Sequence, residues 1–223
     1  MRKLLIATTT LAVLAAILGW SLFLRERRSG DLERDNRRMR DMISRLGTEF
    51  RIADVVVTIQ EGSPGRDRRT TFRFLAYDRE GNALQPQTHT IAGDVAYFDA
   101  LVLKFEDRFV GDADVLRGRS LHLFRRVFGE FQAPADGFAL DAASSDGVPD
   151  ALRLGAGNFE AEMWKDFWKY ASDAKFAESQ GVRVAQGEAV YTRLEAGRTY
   201  RLTIEADGGM NIRPAAPVAT ARN

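Results

Sequence analysis

Hydrophobic and polar residues alternate through most of the chain after residue 50, and this period of two predicts half-buried β-strands. The clearest example places Tyr200, Leu202 and Ile204 on one face and Arg201 and Thr203 on the other. Six to eight such strands with short connections predict a mainly β, α+β fold, an antiparallel β-sandwich or barrel-like domain. The predicted strands are 52–61, 69–78, 84–92, 95–106, 120–128, 188–194 and 198–206.

Turn residues indicate how neighbouring strands pair. The polar segment 61–68, rich in glycine and proline, predicts a hairpin between the first two strands. Residues 195–197 predict a second hairpin, between 188–194 and 198–206. Pro86 has no amide hydrogen to donate to a ladder, so strand 84–92 is expected at a sheet edge. Strand 95–106 is apolar on nearly every position and is expected to be central.

A helical insertion at about 158–180 interrupts the strands. Asn158–Ala171 has large apolar residues three and four positions apart, followed by a shorter helix that starts at Asp173 and ends at Gly181. The stripe through Trp164 and Trp168 is interpreted as a buried face on a sheet, with a sugar-stacking or partner surface as the alternative. Tyr170 falls off this stripe and is predicted to be exposed.

The first 28 residues are predicted to form a transmembrane signal-anchor with basic flanks. Residues Leu4–Leu24 contain no charge and, at 21 residues, meet the length that a membrane-spanning helix needs. The run is longer than the hydrophobic part of a cleaved signal peptide, and Gly19-Trp20-Ser21 is a poor cleavage site. An uncleaved anchor is therefore favoured over a cleaved signal.

The sequence gives opposing indications of the side of the membrane on which the domain lies. Arginines concentrate after the span, and the positive-inside rule taken literally puts the domain in the cytoplasm. Against this, the tail before the span is only three residues long, and large domains translocate largely regardless of charge. We favour an extracytoplasmic domain, periplasmic or on the outer face.

Residues 29–50 are predicted to form an amphipathic helical stalk that begins near Asp31, a suitable N-cap. The stripe spans roughly two heptads, fewer than the three or four that identify a coiled coil. A spacer packing on its own domain or on the bilayer is favoured over a homo-oligomeric stalk or a helix that docks an envelope protein. The residues of the stripe are Leu32, Met39, Met42, Ile43 and Leu46.

Composition narrows the partners and the chemistry. The 223 residues carry a net charge of +1, and residues 51–223 hold 22 basic against 25 acidic residues, so nucleic acid is not expected as a partner. The chain has no cysteine, which excludes disulfides, thiolate metal sites and cysteine nucleophiles. The globular domain is assigned to 51–213 and a disordered tail to 214–223.

No motif identifies a catalytic, metal or cofactor site. The two histidines, His89 and His122, form no HExxH or His-x-His pair, and Gly118-Arg-Ser120 lacks the final glycine of a nucleophile elbow. Loop aspartates could form a calcium site or a glycosidase pair, but they lack the spacing of a calcium loop and commonly form turns. The loop aspartates retained as a ligand or partner surface, with Trp164, Trp168 and Tyr170, are Asp136, Asp141 and Asp146.

The sequence is compatible with three functions. The first is a single-pass membrane-anchored protein that presents a non-catalytic β-rich binding or scaffolding domain in the cell envelope. The second is a membrane-tethered hydrolase that uses carboxylates, or a carbohydrate-binding protein. The third is a cytoplasmic-facing membrane adaptor. All three include the lipid bilayer as a partner and none requires a cofactor.

Overall fold

The computed structural model describes residues 33–140 and 158–215, together with Trp20. Contacts divide the chain into two units, Met1–Ser44 and Arg45–Asn223. The larger unit is built mainly from antiparallel strands in two sheets, as the alternation predicts. The strands are β1 (Glu49–Glu61), β2 (Arg69–Ala76), β3 (Gln87–Ala92), β4 (Val95–Phe105), β5 (Leu121–Gly129), β6 (Phe138–Ala139), β7 (Val182–Arg193), β8 (Thr199–Glu205) and β9 (Met210–Pro214).

The first sheet has the order β3-β2-β1-β8-β9 and the second the order β6-β5-β4-β7. The predicted hairpin of β1 and β2 is confirmed, with Val55 opposite Phe74. The edge position expected for the strand after Pro86 is also confirmed, because β3 pairs only with β2 among the described strands. β4 is central, flanked by β5 and β7.

The two sheets share one hydrophobic cluster, which we call the inter-sheet core. Phe98 of the second sheet lies edge-on to Phe72 and stacks with Phe74 of the first, with 6.0 Å between ring centroids in each pair. All three rings are almost completely buried. The inward-facing residues of β1, β2, β4 and β8 therefore pack directly across the interface between the sheets.

β4 is buried on both faces, which explains its nearly continuous apolar sequence. Phe98, Ala100 and Val102 face the inter-sheet core, whereas Leu103 and Phe105 belong to a second cluster, which we call the outer core. Three short helices cover the outer core. They are α3 (Asn158–Lys165), α4 (Phe167–Ser172) and α5 (Ala174–Ser179). A further short helix, α2 (Asp107–Gly111), follows β4.

The predicted long helix 158–171 is therefore two helices, interrupted at Asp166. The interruption changes the direction of the following side chains, so Tyr170 is buried, with 7% of its surface exposed, and the prediction that it is exposed is wrong. Asp173 caps α5 as expected, since its Oδ1 accepts from the backbone amide of Phe176 at 3.0 Å. Gly181 follows α5 with a positive φ of 71°, where a side chain would meet the ring of Phe109.

The predicted hairpin of 188–194 with 198–206 is wrong. β7 pairs with β4 in the second sheet, whereas β8 pairs with β1 and β9 in the first. The connection crosses from one sheet to the other, and Leu194 enters the inter-sheet core as it does so. The amide of Leu194 donates to Asp94 O at 2.7 Å, which fixes the chain at the crossing point.

The C-terminal strand β9 is missing from the sequence prediction. It reaches Pro214, opposite Tyr200, so the ordered region extends past the boundary predicted for the tail at 214. Pro214 lies on the edge strand of the sheet, where the missing amide hydrogen leaves no ladder partner unsatisfied.

The predicted stalk is helical over residues 33–46, which we call α1. Met39 and Ile43 of its stripe are exposed, Met42 and Leu46 are half-buried, and Leu32 lies outside the described residues. The predicted span Leu4–Leu24 also lies outside them, apart from Trp20. Within the described ranges, no helix combines the length and the apolar character needed to cross a membrane.

Candidate functional site

A cavity opens at one end of the two-sheet stack, beside the first half of β5. Next to the cavity, the short strand β6 pairs with Arg126 and Val127 of β5, and the amide of Leu140 donates to the backbone oxygen of Arg125 at 3.1 Å. Five consecutive residues, Ser120 to Phe124, line the cavity. It has a volume of about 320 Å³, at the lower end of the range for small-molecule sites.

The walls of the cavity are predominantly apolar. Ile52, Ala76 and Ile204 come from the first sheet, and Leu121 and Phe124 from the second. Phe50, Leu84, Leu123 and Trp164 complete the apolar lining. Buried strand residues of both sheets therefore continue into a space that they do not fill.

Arg79 joins three segments at the rim of the cavity. Its Nη1 donates to Glu160 Oε1 of α3 at 2.9 Å, and its Nη2 donates to the backbone oxygen of Leu116 at 2.6 Å. The turn that carries Arg79 is itself closed by Asp78, whose Oδ1 accepts from the amide of Asn82 at 2.7 Å. Glu160 is 8% exposed, so its charge depends on Arg79 for compensation.

Arg119 lies next to this junction, where it contacts both Arg79 and Phe50. Its Nη2 donates to the backbone oxygen of Arg79, and its guanidinium lies 4.9 Å from the ring centroid of Phe50. Burial and the nearby Arg79 charge lower the pKa of Arg119, although Glu160, Glu80 and Asp78 act in the opposite direction. Among the described residues, no carboxylate lies within ion-pair distance of Arg119.

His122 points from β5 into the same cavity, beside Phe124, with 5.2 Å between ring centroids. The His122 residue is half-buried and is one of the residues that line the cavity. Burial and the Arg119 charge lower its pKa to about 4. His122 is therefore neutral near pH 7 and offers one donor and one acceptor nitrogen.

A shallower groove lies on the outer side of the second sheet, between the 3₁₀ turn Pro134–Asp136 and the helices. Arg125, Arg126, Ala135, Phe167 and Trp168 are among its lining residues. Trp164 lines both the groove and the cavity. Its Nε1 is buried and has no hydrogen-bond partner among the described residues.

The structure separates the residues that the sequence singled out. Trp164 is buried, as the core interpretation predicts, whereas Trp168 is 68% exposed at the groove. Tyr170 lies in the outer core, where its hydroxyl reaches Met163 Sδ at 3.6 Å. Asp136 is exposed in the 3₁₀ turn next to the groove, and Asp141 and Asp146 lie outside the described residues.

Arg79, Arg119 and Glu160 were missed by the sequence reasoning. They are far apart along the chain, and isolated charged residues usually face solvent. One signal was present: Glu160 precedes Met163 and Trp164 by three and four residues, so it lies on the apolar side of α3. A carboxylate on a buried helix face requires a cationic or hydrogen-bonding partner.

The polar groups of the cavity do not form a recognisable catalytic set within the described ranges. Ser120 Oγ, the nearest hydroxyl in sequence to His122, donates to the backbone oxygen of Ala206 at 2.9 Å. No cluster of three metal-ligating residues occurs in the part of the chain that the structure describes. Comparisons with protein-family models, curated proteins and solved structures give no match.

Proposed function

We propose that the domain formed by residues 45–215 is a non-catalytic binding module, tethered to a membrane by Leu4–Leu24, whose cavity holds the apolar part of a small ligand. The observation that carries this proposal is the cavity itself, about 320 Å³ with apolar walls and charged groups at its rim. Concave sites with apolar linings and a few polar groups are the usual form of ligand sites. The length and lack of charge of Leu4–Leu24 support the tether.

The arrangement of polar groups supports binding rather than catalysis. Arg79 and Glu160 are bonded to each other, Ser120 is bonded to the backbone, and His122 is neutral at neutral pH. A general base needs a positioned partner and a pKa close to the working pH. These groups shape and orient a bound molecule more readily than they transfer protons.

Tryptophan quenching by a brominated alkyl ligand tests occupancy of the cavity. The full chain carries Trp20→Phe and Trp168→Phe, so that Trp164 is the single reporter, and it is studied in nanodiscs of zwitterionic lipid. We expect 8-bromo-1-octanol and 8-bromooctanoate to quench Trp164 with saturation. The matched reporter keeps Trp168 and carries Trp20→Phe and Trp164→Phe, and we expect only unsaturable collisional quenching of this exposed residue.

Filling the cavity provides the second arm of the experiment. Ala76→Leu introduces a larger side chain at a residue that lines the cavity, and we expect it to weaken quenching of Trp164 at least fivefold. Ala189→Leu makes the same change on the exposed face of β7 and serves as the control. If Trp164 shows no saturable quenching in the single-reporter protein, the proposed function is wrong. It is also wrong if Ala76→Leu and Ala189→Leu leave the quenching of Trp164 equally strong.

Membrane attachment and sidedness require their own measurements. We propose a single-pass, uncleaved anchor with an extracytoplasmic domain. The full chain should stay in the membrane pellet after alkaline carbonate extraction, whereas a variant lacking residues 1–28 should be released. A reporter that is active only outside the cytoplasm, fused after Asn223, should be active. Activity of only a cytoplasmic reporter would favour the cytoplasmic-facing adaptor instead.

A second candidate function is carbohydrate binding at the groove, favoured by the exposed indole of Trp168. An aromatic face beside polar groups is a common platform for a sugar ring, and Arg125 and Arg126 supply donors nearby. Under this proposal, Trp168→Ala abolishes retention on an oligosaccharide affinity column, while Ala76→Leu does not change it. The reverse pattern, or no retention of the parent protein on any oligosaccharide, excludes the groove as a sugar site.

A further inference from the structure

The cavity combines apolar walls with one cationic group, Arg119, that has no ionic partner among residues 33–140 and 158–215. We infer that its ligand is a short, unbranched aliphatic carboxylate, whose chain lies among the apolar walls and whose carboxylate binds the guanidinium of Arg119. This inference rests on the proposed function and specifies the ligand class of the same site. It follows from the size of the cavity, from the hydrogen bonds of Arg119 and from the division of charges at the rim.

The three arginines at the rim differ in what they already bind. Arg51 Nε donates to Asp54 Oδ1 at 3.0 Å, so its charge is compensated. Arg79 is occupied by Glu160 and by two backbone oxygens of the neighbouring loop. Arg119 donates one hydrogen bond, to the backbone oxygen of Arg79. Of these three arginines, Arg119 alone has no carboxylate partner in the part of the chain that the structure describes, so an incoming anion could neutralise its charge.

The remaining donors of Arg119 are available to a ligand. A guanidinium has five N–H donors, and one hydrogen bond to a backbone oxygen leaves four. None of the remaining nitrogen atoms is both buried and unsatisfied, so they reach accessible space. Arg119 also lines the cavity, next to His122 and Ser120. A carboxylate matches the planar arrangement of guanidinium donors and binds them in pairs.

Acidic residues near Arg119 have other roles and do not block this site. Glu160 is held by Arg79, and Asp78 accepts two hydrogen bonds from Asn82 within its own turn. Glu80 is exposed to solvent. These charges reduce the attraction that Arg119 exerts on an anion, but they leave its donors unoccupied. Binding is therefore expected to be moderate in affinity and weakened by salt.

The cavity volume limits the length of the ligand. A water molecule occupies about 30 Å³ of liquid, so about 320 Å³ accommodates roughly ten non-hydrogen atoms on that basis. Octanoate has this size, whereas an intact phospholipid is far larger. His122 is neutral at neutral pH and adjoins the chain without adding a second charge. An eight-carbon carboxylate is consequently the probe whose chain fits the apolar part of the cavity and whose head group can bind Arg119.

The test compares two ligands that differ only in the head group. In the protein with Trp164 as the single reporter, quenching by 8-bromooctanoate and by 8-bromo-1-octanol is titrated at pH 7.5, where the carboxylate is ionised. We expect the carboxylate to bind about tenfold more tightly than the alcohol, the ratio that one charge-assisted hydrogen-bonded pair typically produces. Raising the salt concentration should reduce this ratio.

Variants of Arg119 assign the preference to the guanidinium. Arg119→Gln should lower the ratio to below threefold while the alcohol still binds, which shows that the cavity is intact. Arg119→Lys, which keeps the charge but loses the paired donors, should give an intermediate ratio. Equal binding of the two ligands to the parent protein would overturn this inference and leave the proposed function standing. Failure of both ligands to quench Trp164 would overturn both.

Discussion

The two faces of the second sheet differ in how they are covered. On the inner face, strands of the first sheet bury Phe98 and its neighbours to the point that the rings are inaccessible. On the outer face, the described cover consists of three helices of six to eight residues, and Trp168 of α4 is exposed. The cavity lies at the edge between the two faces.

This difference predicts that the inter-sheet core contributes more to the stability of the domain than the helix-covered outer face does. Long strands pack with few gaps and provide a core that tolerates little change. Short helices gain most of their stability from packing, since isolated helices of this length are marginal in water. The groove therefore opens among residues that contact the helices, whereas the cavity lies where inter-sheet core residues such as Ile52 and Ala76 meet Trp164 of α3.

Matched phenylalanine truncations test the comparison most strongly. Phe98→Ala removes a ring that contacts Phe72 and Phe74 between the sheets, and we expect the free energy of unfolding to fall by about 4 kcal/mol. Phe167→Ala removes a buried ring of the outer core and should cost about 2–3 kcal/mol, because short helices can adjust. Denaturant unfolding of the full chain measures both values.

Hydrogen exchange distinguishes the two truncations further. Phe167→Ala should raise exchange rates in α3 and α4 while the amides of β1 and β8 remain protected. Phe98→Ala should raise exchange rates throughout both sheets. Equal destabilisation with global loss of protection in both variants would show that the helices and the sheets unfold as one cooperative unit.

Two glycines provide the next comparison. A Cβ at Gly129 would lie 2.1 Å from the backbone oxygen of Ala92, where β3 and β5 of different sheets come close, so Gly129→Ala should cost about 2–3 kcal/mol. A Cβ at Gly187 would meet only Ala100 O at 3.9 Å, an ordinary contact. Gly187→Ala should be neutral or stabilising by up to about 1 kcal/mol. Thermal unfolding of both variants checks the difference, and a tolerated Gly129→Ala would show that the sheets can separate at this point.

Most of the strands could be predicted from the sequence, because the alternation of hydrophobic and polar residues indicates which residues of a strand face the core. Alternation does not state which strand is the neighbour, and for this reason the hairpin across 195–197 was wrong. The pairing was decided by the crossing of Leu194 into the inter-sheet core, a long-range contact. The strand β6 was missed because two residues cannot display a period.

The candidate site was largely inaccessible to sequence reasoning. Its polar rim combines Arg79, Arg119 and Glu160, which the fold brings together from separate elements. The aromatic stripe on the insertion was identified, but its split into Trp164 inside and Trp168 outside depends on the break at Asp166. Local patterns identify buried faces, whereas the cavity is lined by residues that are far apart along the chain, such as Phe50, Arg79, Arg119 and Trp164.

His122 gives the cavity a pH dependence in the acidic range. The pKa of His122 falls from its ordinary value of 6.5 to about 4 in the folded protein. Between these values the unfolded chain takes up a proton that the folded chain does not. The contribution of His122 to stability is therefore complete above pH 6.5 and is lost as the pH falls towards 4, by at most about 1.4 kcal/mol per pH unit.

Comparison with His122→Gln isolates this contribution, because every other ionisable residue is the same in the two proteins. We expect the free energy of unfolding to decrease more steeply from pH 6.5 to 5 in the parent protein than in the variant. Denaturant titrations at several pH values measure the two slopes. Parallel slopes would show that the His122 imidazole gains or loses its proton equally in both states.

The smallest effect is expected at Trp168, the exposed end of the comparison. Its ring is 68% exposed and touches Phe167 edge-on, with 5.2 Å between centroids. Trp168→Ala should therefore change the free energy of unfolding by about 0.5 kcal/mol. Trp164 is buried, so Trp164→Ala should lower the free energy of unfolding by about 3–5 kcal/mol. Denaturant unfolding of the full chain measures both variants. A large loss for Trp168→Ala would mean that the outer face is more closely covered than its exposure indicates, and the contrast between the two faces of the sheet would not hold.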